Sequence, residues 1–116
     1  MIFSENLRKL REDRDYTQQQ LADALHVSKN SISHYELKVS MPGIDVLIEM
    51  ADIFDVSLDF LLGRTNVNLS NKLLEKPIDK NTTVGQAIES ILKLDREHKA
   101  DFIKLLYYIE ADNKRR

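Results

Sequence analysis

Thr17 and Ser28 stand eleven residues apart, and each precedes a run able to start a helix. Gln20 follows Thr17 at capping-box spacing. The threonine hydroxyl can take the third amide of the helix while the glutamine side chain returns to the cap amide. Ser28 supplies a second N-cap. The intervening helix has Leu21, Ala24 and Leu25 as its expected buried face and ends near His26-Val27. The helix after Ser28 runs from Lys29 to about Tyr35 or Glu36 and has two strongly apolar residues, Ile32 and Tyr35. Its other surface is Lys29, Asn30, Ser31, Ser33 and His34, hydrogen-bonding groups with little bulk, so much of it is free to touch something else.

The same helical spacing continues along the chain. Phe3, Leu7 and Leu10 recur at i, i+4 and i+7, with Ser4 as a candidate cap and a polar break at Asp13-Arg14-Asp15. Gly43 is placed to begin a fourth helix, with Ile44, Leu47, Ile48, Ala51 and Phe54 as its stripe. Ser57 can cap a fifth, Leu58 to Leu62, that Gly63 would stop. Residues 65–80 then read as a linker, with a short turn at Leu69 to Leu74. Thr83 and Gln86 repeat the capping box before Val84, Ile88, Ile91 and Leu92, and Asp95 caps a last helix to about Asp112. The expectation is an all-α chain: a five-helix domain over 1–64, the linker, and an antiparallel helical hairpin over 81–116.

Two short capped helices joined by a tight turn are the helix-turn-helix arrangement. Such a pair can lay its second helix in the major groove, N-terminal residues leading. The charge balance does not advertise this: 17 Lys and Arg against 19 Asp and Glu leave a net −2. Residues 41–63 carry five carboxylates (Asp45, Glu49, Asp52, Asp55, Asp59) and no Lys or Arg, whereas 16–40 set Lys29 and Lys38 against Asp23 and Glu36. Local charge governs the encounter with phosphate. Few cations at the reading surface predict few released counterions and a shallow salt slope per subunit.

Other function classes find little support. Cysteine is absent, and no pair of the three histidines has metal-ligand spacing, so no metal site is expected. No Gly-rich phosphate loop, G-x-S-x-G turn or paired-carboxylate signature is present, so neither an enzyme nor a cofactor is expected, and no small-molecule ligand is evident. Neither a signal peptide nor an apolar span of about 20 residues is visible, which points to a cytoplasmic protein away from membranes. The acidic groups of the fourth and fifth helices read as a solvated face. His26 reads as packing or loop capping, and His98 as solvated.

Leu10-Arg11-Glu12, Tyr16-Thr17-Gln18-Gln19-Gln20-Leu21-Ala22 and Val27-Ser28-Lys29-Asn30-Ser31-Ile32-Ser33-His34-Tyr35-Glu36 resemble the Xre-type helix-turn-helix family, the fold of the lambdoid phage repressors. The likeness continues through Met41-Pro42 and Leu47-Ile48-Glu49-Met50-Ala51 to Phe54-Asp55-Val56-Ser57-Leu58-Asp59-Phe60-Leu61-Leu62-Gly63, covering about residues 4–64. The resemblance implies a transcriptional regulator of double-stranded DNA. Lys29, Asn30, Ser33 and His34 match base-reading positions, with Ser33 at the edge of that face. Gln18 matches a phosphate-binding position, Ser28 and Ser31 match positions on the backbone or at the groove edge, and Lys38 is read as a further phosphate contact. Arg11 and Glu36 match a buried structural ion pair. A plain solvated helix start is the alternative for Lys29, Asn30 and Ser31, and a surface histidine for His34. The sequence departs from the family at two glycines, one commonly before the second helix (here Asp15) and one after the third (here Leu37-Lys38-Val39).

The last helix carries Phe102, Ile103, Leu105, Leu106, Tyr107, Tyr108 and Ile109 almost without interruption. A helix apolar on most sides is usually buried on most sides. It either packs on its neighbour and the first domain or forms a subunit interface, with Phe102, Leu105, Leu106 and Ile109 as its expected dimer contacts. The reading is a homodimeric repressor of an inverted repeat. The alternative is an antitoxin-like or antirepressor-binding interaction module on the same scaffold.

Overall fold

The computed structural model describes residues 2–115. Eight α-helices follow one another: α1 (Ile2–Asp13), α2 (Gln18–Leu25), α3 (Lys29–Glu36), α4 (Ile44–Phe54), α5 (Leu58–Leu61), α6 (Asn71–Glu75), α7 (Val84–Leu92) and α8 (Arg96–Lys114). The fold is all-α, and among the described residues the only strand-like feature is an isolated bridge between Pro77 and Thr83. The chain forms two compact units, one ending at Leu73 and the other beginning at Leu74.

In the first unit α3 packs on α1 and α2, α4 on α2 and α5, and α5 on α1. Phe3, Leu7, Leu21, Ile32, Met50, Phe54 and Leu61 are fully buried at the centre. The Tyr16 ring meets Phe54 edge-on at 6.3 Å, and the Arg14 guanidinium lies 5.8 Å over the Phe54 ring. Arg14 also donates to the Phe54 carbonyl at 2.6 Å, and Asn6 donates to the Phe60 and Leu61 carbonyls, tying helix ends that have no intrahelical partner. Gly63 has φ +76°, and a Cβ there would collide with Ile2, so glycine serves both conformation and space.

The caps fall where local chemistry placed them: Thr17 and Thr83 in full capping boxes, and Ser28, Ser57 and Asp95 each accepting an amide one turn on. The faces are less faithful. Ser4 is no cap; it is a buried residue inside α1. In α2 Ala22 is buried and Ala24 exposed. In α4 the buried stripe is Leu47, Met50, Ala51 and Phe54, while Ile44 and Ile48 are exposed. The face is turned by roughly 45° from the expected one at 100° per residue. An apolar stripe wider than one contact leaves that choice to the neighbouring helices.

The stretch expected as a linker is largely ordered by contacts. Asn68 accepts the Ser57 amide and donates to the Asp55 carbonyl, both at 3.0 Å. Ser70 is buried and accepts from the Leu73 amide. Residues 65–73 therefore belong with the first unit. In the second unit, Ile78 donates to Thr82 and Val84 to Lys76, closing a turn ahead of α7. Helices α7 and α8 succeed one another across the short connection 93–95, as the expected hairpin requires, and neither helix has a buried residue.

Candidate nucleic-acid interface

The α2–α3 pair is built around Ile32, fully buried on the inner side of α3, with half-buried Tyr35 beside it. At 100° per residue, Lys29, Ser33, Asn30 and His34 fall within an arc of about 140° on the opposite side. Lys29, Asn30 and His34 are exposed and Ser33 is half-buried, so the sequence-derived reading residues share one face. That arc runs on into Leu37, which is 68% exposed at the C-cap of α3. The pattern of the helix gave no reason to single Leu37 out, because an apolar residue at a helix end is expected to point inward.

Ser28 and Ser31 are engaged with each other. Ser28 Oγ accepts the Ser31 amide at 3.0 Å, and the two hydroxyls lie 2.9 Å apart. The cap takes up the Ser31 amide; the Lys29 and Asn30 amides ahead of it have no carbonyl one turn back within α3. Gln18, the first residue of α2, is half-buried, and its Nε2 donates to Glu36 Oε1 at 3.3 Å. Gln18 is the residue expected to contact phosphate, and its tie to Glu36 was invisible in the sequence.

Arg11 and Glu36 form a bidentate pair, with Arg11 Nε donating to Oε2 at 2.7 Å and Nη2 to Oε1 at 3.0 Å. Arg11 Nη1 also donates to the Tyr16 carbonyl at 2.9 Å. The side chains are 12% and 5% exposed. The hydrogen bonds that Arg11 donates to Glu36, together with the charge of that carboxylate, hold the Arg11 guanidinium above its ordinary, already high value, against the opposing cost of burial. This pair joins the end of α1 and the α1–α2 turn to the last residue of α3.

Both departures from the family's glycines sit in left-handed backbone. Asp15 has φ +59° and Lys38 has φ +64°. That region costs an L-residue roughly 1–2 kcal/mol, which explains why glycine is favoured there. Lys38 is exposed just past the end of α3. His26 also has a left-handed φ, +56°, and closes α2, so its role is capping.

In the second unit the apolar residues of α8 lie largely in the open. Leu105, Leu106 and Ile109 are 55%, 37% and 51% exposed, Phe102 is half-buried, and Tyr107 and Tyr108 are exposed. Phe102, Leu105, Leu106 and Ile109 recur at i, i+3, i+4 and i+7 and so share one stripe. His98 is not simply solvated: its Nδ1 lies 2.8 Å from the capping carboxylate of Asp95. Among the described residues no group of His, Cys, Asp and Glu can hold a metal ion, and no helix is long and apolar enough to cross a membrane.

Comparison with known proteins agrees with this architecture. The helix-turn-helix family profile matches residues 7–61. The chain is 40% identical over 98 residues to the uncharacterized HTH-type transcriptional regulator YqaE of Bacillus subtilis, covering 79% of this chain and 84% of that protein. It is 33% identical over 93 residues to the HTH-type transcriptional regulator ImmR of the same organism, covering 78% and 68%. A transcriptional regulator from Listeria innocua shares the fold with a TM-score of 0.54 at 24% identity, covering 94% of this chain and 92% of that one. With its capped α2–α3 pair set on a five-helix core, the chain belongs to the Xre-like helix-turn-helix family of DNA-binding transcriptional regulators.

Proposed function

We propose that this regulator is a repressor that binds an inverted-repeat operator as a homodimer. The observation that carries the reading is the α3 face, where Lys29, Asn30, Ser33 and His34 project together from a helix anchored on Ile32. Amide, hydroxyl, ammonium and imidazole groups can match base-edge donors and acceptors in the major groove. Exposed Leu37 extends the face with a group suited to a thymine methyl. Gln18, Ser28, Ser31 and Lys38 surround it as phosphate contacts, helped by the free amides at the starts of α2 and α3.

One such face, poor in cations, binds weakly by itself, and two held together bind well. The apolar stripe of α8 supports pairing of two copies, which would set two reading helices about 34 Å apart along the duplex. A dimer seated on a promoter excludes polymerase without further contacts, and this favours repression. Such a protein works in the compartment that holds the DNA, the bacterial cytoplasm by analogy with its relatives.

The test is selection of bound fragments from a random DNA library, combined with sedimentation. An enriched inverted repeat and a dimer that disappears on removal of residues 81–116 are the expected results. A promoter reporter then distinguishes repression from activation. The exposed α8 stripe fits a second reading equally well, in which it grips a different chain as an antitoxin-like or antirepressor-binding module. A full-length monomer without salt-sensitive DNA binding would favour that reading.

A further inference from the structure

The carboxylate of Glu36 is shared. Oε1 accepts Gln18 Nε2 at 3.3 Å and Arg11 Nη2 at 3.0 Å, and Oε2 accepts Arg11 Nε at 2.7 Å. Glu36 ends the reading helix, Gln18 begins α2, and Arg11 also holds the α1–α2 turn through Tyr16. A glutamine amide free in solution can turn either its oxygen or its nitrogen toward a neighbour. A carboxylate accepts only hydrogen bonds, so it selects the orientation in which the Gln18 nitrogen faces it. Arg11, gripped on two nitrogens and 12% exposed, keeps that carboxylate from moving.

We propose that Glu36 is a positioning residue for DNA binding: it fixes the Gln18 amide so that its second N–H is presented to a phosphate at a set distance from the reading face. This rests on the reading of Gln18 as a phosphate contact. A phosphate oxygen accepts and never donates, so only the orientation chosen by Glu36 is productive. The same carboxylate ends α3, so phosphate grip and base reading share one rigid reference, and the register of α3 on the duplex follows from it.

The experiment is a cycle on full-length protein and a duplex recovered by selection from random sequence. The variants are Gln18→Ala, the pair Arg11→Met with Glu36→Leu, and all three together. The apolar pair fills the buried space and strands no charge. Gln18→Ala is expected to weaken binding about tenfold in the native background, the worth of one charge-assisted hydrogen bond. In the apolar-pair background it should cost less than about twofold, because the unanchored amide no longer contributes. A purely structural ion pair would leave the Gln18 factor unchanged, and an equal cost in both backgrounds overturns the proposal. A Gln18→Ala protein that binds normally in the native background overturns the phosphate reading beneath it, and the proposal with it. Should the apolar pair fail to fold, NMR of the unmodified protein decides. Gln18 side-chain amide protons shifted from their free positions support the proposal, and free-glutamine shifts overturn it.

Discussion

The side-chain oxygen of Asn68 accepts the backbone amide of Ser57 at 3.0 Å, capping α5 from a segment eleven residues further along the chain. The other end of the Asn68 amide holds the Asp55 carbonyl, so one side chain satisfies two groups at the α4–α5 corner. Asn68→Ala is expected to cost about 1 kcal/mol, since it leaves the partly buried Ser57 amide unpaired while the exposed Asp55 carbonyl turns to water. A chain ending at 64 should likewise melt below one ending at 73. Thermal unfolding of the two truncations checks this; equal melting temperatures would show that the clasp contributes nothing.

Glu36→Ala strands the Arg11 guanidinium in a site where its side chain is 12% exposed. The expected loss is about 3–5 kcal/mol. Replacing both partners by Arg11→Met and Glu36→Leu should be close to neutral, because burial of two charges is then no longer needed. Urea unfolding of the single and double variants tests the contrast.

Lys38 holds a left-handed φ of +64° that suits glycine. Lys38→Gly should stabilise the fold by about 1 kcal/mol. If Lys38 touches phosphate, the same variant should lower the slope of log affinity against log salt by about 1. Stability and DNA affinity thus move in opposite directions, a combination that a plain surface lysine would not produce.

Asp95 caps α8, and its hydrogen bonds from the amide and ring of His98 hold its carboxyl below the usual carboxylate range. A carboxylate with a depressed folded value contributes stability above its unfolded value. That contribution is lost as pH falls from the ordinary aspartate range through the lowered folded value. Far-ultraviolet circular dichroism should therefore show α8 fraying at its N-terminus under those conditions, and Asp95→Asn should make the residual helicity insensitive to that range.

Asn30→Ala should relax base preference at one operator position, at a cost of about 1–3 kcal/mol for the preferred base, whereas Gln18→Ala should weaken all sequences alike. Competition binding with point-substituted duplexes separates the two effects. Because Lys29 and Lys38 are the only lysines in residues 16–40, the salt slope per half-site should stay well below ten released ions.

What could be read in the sequence was what local chemistry decides. A threonine, serine or aspartate one turn ahead of a glutamine or a free amide is a local cap signal, so Thr17, Ser28, Ser57, Thr83 and Asp95 were legible, although the same kind of signal at Ser4 fell inside α1. The outer face of α3 was legible for a related reason: α3 has so few apolar residues that Ile32 and Tyr35 must point inward, leaving Lys29, Asn30, Ser33 and His34 on the other side. Tertiary structure decided the rest. Ala22 rather than Ala24, and Met50 rather than Ile44 or Ile48, turn inward because the neighbours' shapes choose among equally apolar sides. Asn68 joins the first unit, and Glu36 holds both Arg11 and Gln18, through contacts between residues eleven to twenty-five positions apart. Caps depend on three or four consecutive residues and can be read from them; a shared carboxylate depends on where three helices come to rest, and only the folded chain fixes that.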